Sequence, residues 1–445
     1  MSVAVEFFGG LRVIGSSKIM ISTERARVLL DMGLDIPGEP DLFRPPVAER
    51  TAYRLRDRLA VGAAPPMPGL YDPDQLAPGS PLAAPDRRPT AIFLSHAHLD
   101  HDGALAFARP EIPLHAHPDT VAIEAAAAVA GTGAELDLTA MTAPVAVGDL
   151  RVEALPVDHD VPGACGFLVH TPDGTLAYTG DLNFHRDGGL RSAEFVRAVA
   201  GTTMLVTETT TLSFDPPPGA APYEPRSESA VLQVVAQALD AAPGIALLSA
   251  YERDVERAQR LIDVVRGRGR TLVWPGQQAT LLHHVGLRGV ATWDASRPQR
   301  PVHLEAVRRL GAAADLRRVS LAAVEATPSA FVVQPDVDDT PALLDLPRDG
   351  GFQPFVHSQG EPLGPFMANW AGWIEWLAQL GFTFVAAGSS GHATGAALHK
   401  MVMDVHPGVV VPIHGFRPEA LVVDVPTLLP EYGVRYALDG TPLPV

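Results

Sequence analysis

Cysteine is almost absent. Cys165 is the only one in 445 residues, so no disulfide can form within the chain. Lysine is nearly as rare: Lys18 and Lys400 are the only two. Positive charge is therefore short overall, with 34 Lys and Arg against 51 Asp and Glu and a formal net charge of −17. That balance excludes a surface that coats nucleic acid broadly. Long apolar runs are missing too. The Ala-rich segment around 122–130 is too short and broken to span a bilayer, so no membrane association is expected. The start, MSVAVEFFGG, has no basic stretch followed by an apolar one, so no signal peptide is expected and the cytoplasm is the expected location.

What is present describes a globular chain with ample core: 47% hydrophobic and 19% charged residues, at a length that allows two to three domains. The arginines are unevenly spread. From Arg253 to Arg318 there are 13 Arg and 6 acids, a local basic excess. Such a lobe either steers a phosphate backbone to one face or is a set of solvated helix faces.

The densest chemistry lies in AIFLSHAHLDHDGAL. His96, His98, Asp100 and His101 fall within six residues, after the apolar run Ala91–Leu94 and before a helix start at Gly103. Ligands on a loop behind a buried strand can be aimed at one point. Imidazole and carboxylate suit zinc and related divalent ions, and His-x-His-x-Asp-His offers donors to two ions.

Further polar residues stand at the ends of short predicted strands. Asp31 follows Arg27–Leu30, His159 follows Leu150–Asp158, Asp181 follows Thr175–Thr179, and Glu208 follows Met204–Thr207. Asp31 reads either as an orienter of a ligating His or as a turn cap. Taken singly, His159 and Asp181 are ordinary loop polars; taken in order after the first motif, they fit a third His for one metal and a bridging carboxylate. Two close metals can lower the pKa of a shared water to roughly 7 and clamp an in-line displacement, which is hydrolysis of a phosphoester, amide or thioester.

The texture changes after the Pro- and Gly-rich residues 215–225. Helices at Ser227–Ala241, Arg253–Arg266 and Ala279–Val285 alternate with strands at Ile245–Ser249, Thr271–Trp274 and Ser329–Gln334, as in a parallel-sheet domain. Trp370, Trp373 and Trp376 share a helical face and read as core. The earlier style then returns, with a strand at Phe382–Ala386, a Gly-flanked His392, a helix at Ala396–Val405 and His414 after the strand Val409–Pro412. Residues 36–88 are a Pro-rich excursion of the kind that forms the lip of a site, with a helix expected near Ala48–Leu59.

As an ordered set, His96-x-His98-x-Asp100-His101, His159, Asp181 and His414 resemble the metallo-β-lactamase superfamily. His414 lies about 230 residues after Asp181, which requires an insertion. That spacing, with Glu208, Ser390-Gly391-His392-Ala393, Pro412-Ile413-His414-Gly415 and the turn His357–Pro362, resembles the β-CASP group, which includes ribonuclease J. The resemblance implies an α/β fold, a metallo-β-lactamase αββα sandwich (residues 1–212 and 381–445) with an inserted α/β β-CASP domain (residues 213–380). It implies two zinc ions, with manganese as the alternative. His96, His98 and His159 would hold one ion, Asp100, His101 and His414 the other, with Asp181 bridging and Asp31 orienting a ligand. His392, backed by Glu208, would contact the scissile phosphate and act as general acid. Asp100, Asp181, Glu208 and His392 are then the catalytic set. The implied partner is single-stranded RNA, cleaved by a metal-bridged hydroxide, and homodimer formation is left open. The alternatives are a hydrolase of small-molecule or other non-RNA esters or amides on the same scaffold, and a non-catalytic RNA-processing subunit. One departure stands out: Phe416 follows His414-Gly415, where many relatives carry an acid.

Overall fold

The computed structural model describes residues 3–36, 50–214, 224–294, 316–348 and 351–444. Two sheets face each other. The first runs in the order Arg435–Tyr436, Ala4–Gly9, Lys18–Ser22, Arg27–Leu30, Thr90–Leu94, Leu114–Ala116, Leu138–Ala140. The second runs Val409–Ile413, Met204–Glu208, Gly174–Tyr178, Cys165–Thr171, Leu150–Pro156, Val145–Val147.

Strand alternation builds the core. In Lys18–Ser22, Ile19 and Ile21 point at the second sheet while Met20 points the other way, into a separate apolar cluster. From the second sheet Val152, Phe167, Val169, Tyr178 and Val206 meet them. The reverse faces are also covered, so both sheets read as nearly continuous apolar strands. Phe195 of the helix Leu190–Ala198 and Leu398, Met401 and Val402 of the helix Gly395–Val405 cover the second sheet. This is the helix–sheet–sheet–helix sandwich that the sequence implied.

A third sheet is wholly parallel, in the order Arg317–Ser320, Ala291–Asp294, Thr271–Trp274, Phe331–Val333, Ala246–Ala250, Gln353–Ser358, Phe382–Ala386. Helices Glu228–Ala241, Val255–Arg266 and Gly276–His284 cover one face, and Trp370–Gln379 the other. Trp373 is buried there, while Trp370 and Trp376 are half-buried. Phe382–Ala386 pairs with Gln353–Ser358, so this strand belongs to the third sheet. The chain then returns to the second sheet, where Val409–Ile413 lies parallel to Met204–Glu208 and sets Glu208 opposite Ile413.

The expected helix near 48–59 is displaced to Arg54–Val61, and positions 48–49 lie outside the described residues, as do 215–223 of the predicted boundary. Among the described residues, no helix is long and apolar enough to cross a membrane.

Candidate metal centre

Parallel strands deliver their C-terminal ends to one place. Thr90–Leu94 carries Ser95 and the His96–His101 loop, Gly174–Tyr178 leads to Asp181, and Val409–Ile413 leads to His414. Gly33 lets the first-sheet backbone approach this loop. A Cβ at Gly33 would overlap the Asp100 carbonyl, so any side chain there would push the loop away.

Two donor groups result. His96, His98 and His159 form one; Asp100, His101, Asp181 and His414 form the other, with the donor atoms of each group within 4.8 Å of one another. In the first, His98 Nδ1 lies 3.1 Å from His96 Nε2 and 3.3 Å from His159 Nε2. In the second, His414 Nε2 lies 3.2 Å from His101 Nε2 and 3.0 Å from Asp100 Oδ2. Asp181 Oδ2 sits between the groups: 3.8 Å from His96 Nε2, 3.3 Å from His101 Nε2 and 3.5 Å from His414 Nε2.

The outer ring nitrogens are held, which orients the inner ones. His101 Nδ1 is 2.7 Å from Asp31 Oδ2. That oxygen also accepts from Tyr178 Oη, and Asp31 Oδ1 accepts from the Ser95 amide. Asp31 is fully buried and takes a left-handed φ of 57°, so the chain bends to bring its carboxylate under the loop. His96 Nδ1 meets Ser95 Oγ, His159 Nδ1 meets the Gly391 carbonyl and His414 Nδ1 meets Thr210 Oγ1. Four of the five imidazoles therefore present Nε2 inward, and His98 presents Nδ1.

The donor set fits a metal. Both oxygens of Asp181 are buried without a hydrogen-bond partner, although Asp181 is 1% exposed. Such a carboxylate costs several kcal/mol unless a cation meets it. Burial holds His96 and His98 in the neutral form, His98 down to about 4, which is the form that ligates. Burial opposes ionisation of Asp100, yet His101 and His414 beside it bring its pKa to about 2.

His392 stands over this centre. Its Nδ1 lies 3.5 Å from Glu208 Oε2 and 3.7 Å from Asp181 Oδ2. Burial pulls its pKa down, and the carboxylates of Glu208 and Asp181 outweigh that, raising it to about 10. Glu208 is fixed by the amides of Ala393 and Thr210. The side chains of His98 and His392 are 15% and 21% exposed, so they mark the opening of an otherwise buried site.

Every predicted site residue thus converges here. Sequence reading missed others. Asp160, next to His159, puts Oδ1 3.2 Å from His159 Nε2 and 3.3 Å from His98 Nε2; adjacency to His159 was its only signal. Arg253, from the third-sheet unit, is buried and donates to the Ala97 carbonyl and Asp102 Oδ2, both at 2.8 Å, so it ties that unit to the metal loop. The basic stretch 253–318 is not a free lobe among its described residues. Arg253 and Arg257 are buried in ion pairs, and Arg266 and Arg268 bridge Asp263 and Asp240. Arg297, Arg300, Arg308 and Arg309 lie outside the described residues.

Residues 65–248 match a protein-family profile described as a β-lactamase superfamily domain, and the fold and donor groups are similar to that superfamily's. Within that class the likeness is to ribonuclease J. The chain is 28% identical over 231 residues to ribonuclease J of Mycobacterium tuberculosis, covering 47% of this chain and 39% of that protein. It is 27% identical over 260 residues to ribonuclease J of Sinorhizobium meliloti, covering 56% and 45%. The matches thus span less than half the length of these curated relatives. A crystal structure of a protein of unknown function from Enterococcus faecalis V583 superposes with a TM-score of 0.78 at 26% identity, covering 98% of this chain and 100% of that one.

Proposed function

We propose that this chain is a dinuclear metal-dependent phosphodiesterase that cleaves single-stranded RNA in the cytoplasm. The observation that carries the reading is Asp181, a buried carboxylate with no hydrogen-bond partner between two imidazole-rich donor groups. His96, His98 and His159 would hold one divalent ion, and Asp100, His101 and His414 the other, with Asp181 shared. Zinc suits this donor set, with manganese the alternative. Bound there, the ions would supply an acidified water and charge neutralisation for an in-line displacement.

The chain's own groups supply the rest. Asp31 fixes His101 in the Nδ1–H tautomer, leaving Nε2 free to ligate. His392, held protonated by Glu208, can contact a phosphate oxygen and return a proton to the leaving oxygen. A carboxylate partner suits this role because it keeps the imidazolium available near neutral pH.

The organisation that accompanies this reading is a metallo-β-lactamase unit interrupted by a β-CASP-like insertion. The pairing of Phe382–Ala386 within the third sheet supports moving the insertion's end from residue 380 to the loop after Ala386.

A small-molecule ester or amide hydrolase is the second reading. It is favoured by the net charge of −17 and by the arginines spent on internal ion pairs. Incubating the zinc-loaded protein with labelled single-stranded RNA bearing 5′-monophosphate, 5′-triphosphate or 5′-hydroxyl ends, beside an ester and lactam panel, separates them. RNA cleavage is expected. Ester or lactam turnover without RNA cleavage would refute the ribonuclease reading.

A further inference from the structure

The five imidazoles of the centre are not oriented alike. Four have the nitrogen that faces away from the centre held: His101 by Asp31, His96 by Ser95, His159 by the Gly391 carbonyl and His414 by Thr210. In His98 that nitrogen is Nε2. It is buried and forms no hydrogen bond among the described residues, and the same holds for Asp160 Oδ1. The two atoms lie 3.3 Å apart.

Proton placement decides what they are to each other. Ser95 Oγ donates its own proton to Asp31 Oδ2, so it can only accept from His96. The hydrogen of neutral His96 is therefore on Nδ1, and its Nε2 is bare. The Gly391 carbonyl likewise accepts from His159 Nδ1, which leaves His159 Nε2 bare. His98 Nδ1 faces both bare nitrogens, at 3.1 and 3.3 Å. Three lone pairs can meet a cation there only if the His98 hydrogen sits on Nε2. Asp160 Oδ1 is also 3.2 Å from His159 Nε2, but a bare nitrogen offers it no proton. His98 Nε2–H is then the donor for this carboxylate. A small rotation of either side chain brings the pair to the ~2.7–2.9 Å of a charge-assisted hydrogen bond.

The surroundings limit where both groups can go. Asp160 packs on Gly391, where an added Cβ would stand 2.6 Å from Asp160 Oδ2. Tyr251 of the third-sheet unit sets its ring against that of His98, 5.2 Å between centroids and inclined at 65°.

We propose that Asp160 is the positioning residue of His98: its carboxylate accepts Nε2–H, fixes the tautomer with a bare Nδ1 and aims that nitrogen at the ion shared with His96 and His159. The inference rests on the two-ion reading and goes beyond it. It gives the first donor group a carboxylate behind one of its ligands, as Asp31 stands behind His101 in the second.

The test uses the full chain. Zinc affinities are measured by chelator competition, and the His98 ring is followed by heteronuclear NMR of zinc-loaded protein carrying nitrogen-labelled histidine. Asp160→Ala should weaken one zinc site about 10- to 100-fold and the other far less. Asp160→Asn, which keeps an oxygen acceptor without the charge, should lose less than Asp160→Ala. The His98 hydrogen of wild type should be found on Nε2 and exchange slowly with water; in Asp160→Ala it should exchange faster. Equal weakening of both sites, affinities within about 2-fold of wild type, or a His98 hydrogen on Nδ1 would each overturn the assignment. Wild type that binds a single zinc, with the Asp160 effects intact, would refute the two-ion reading and leave the assignment standing. Wild type that binds no zinc would refute both.

Discussion

On the proposed reading His392 and Asp31 serve the centre in different ways, and replacing them should separate proton transfer from metal binding. His392→Ala should retain the metal content of wild type and lose roughly 100- to 10,000-fold in RNA cleavage, because it removes a general acid while the donor groups stay intact. Unchanged cleavage would remove His392 from the mechanism. Asp31→Asn should instead weaken metal affinity about 10- to 100-fold, since an amide cannot hold His101 Nδ1–H in the way a carboxylate does. Competition with a chelator reads that directly, and wild-type affinity would show that Asp31 only caps its turn. At this scale the sequence was most informative where chemistry is dense. His96 to His101 cluster in six residues, and the later donors follow strand ends in order. Asp160 and Arg253 were illegible: one is a single acid beside a His, and the other is one of 13 similar arginines. Only folding brings Asp160 to His98 and Arg253 to the Ala97 carbonyl.

At the scale of elements, the connection between the third-sheet unit and the metal loop runs through buried charge. Arg253 meets Asp102 at 2.8 Å and Glu124 at 3.4 Å, and all three are buried. Removing the cation leaves two carboxylates without compensation, so Arg253→Ala should destabilise by about 3–5 kcal/mol in chemical denaturation. A loss below about 1 kcal/mol would mean that the pair is solvated and does not hold the loop. Strand assignment from sequence failed in instructive places. Gln353–Ser358 contains Pro354, which argues against an interior strand, yet it pairs on both sides in the third sheet. Phe382–Ala386 was recognised as a strand, but alternation alone does not say which sheet a strand joins, and this one pairs with Gln353–Ser358. The clear successes were short strands that are apolar after a polar first residue, such as Arg27–Leu30 and Thr271–Trp274, where burial on both faces leaves no competing period.

For the whole molecule, the metal centre joins distant parts of the chain: Asp31, the His96 loop, Asp181 and His414. Ion binding should therefore stabilise the assembled fold against unfolding, by about 2.7 kcal/mol for each site at a free concentration near 100 times its Kd. Chelation should lower the melting temperature, and zinc should restore it in proportion to its logarithmic concentration. A melting temperature indifferent to zinc would contradict a site shared among these segments. The distance between Asp181 and His414 led to an expected insertion, and the strands of the third sheet lie between those residues in the sequence; the order of its seven parallel strands was not legible, because crossover connections leave no local signal.

On the proposed reading, two ions share Asp181. It is tested most directly by counting zinc bound to the purified chain at saturation, by native mass spectrometry calibrated with elemental analysis. Two ions per chain are expected in wild type. One ion, or none, at saturating zinc would contradict it.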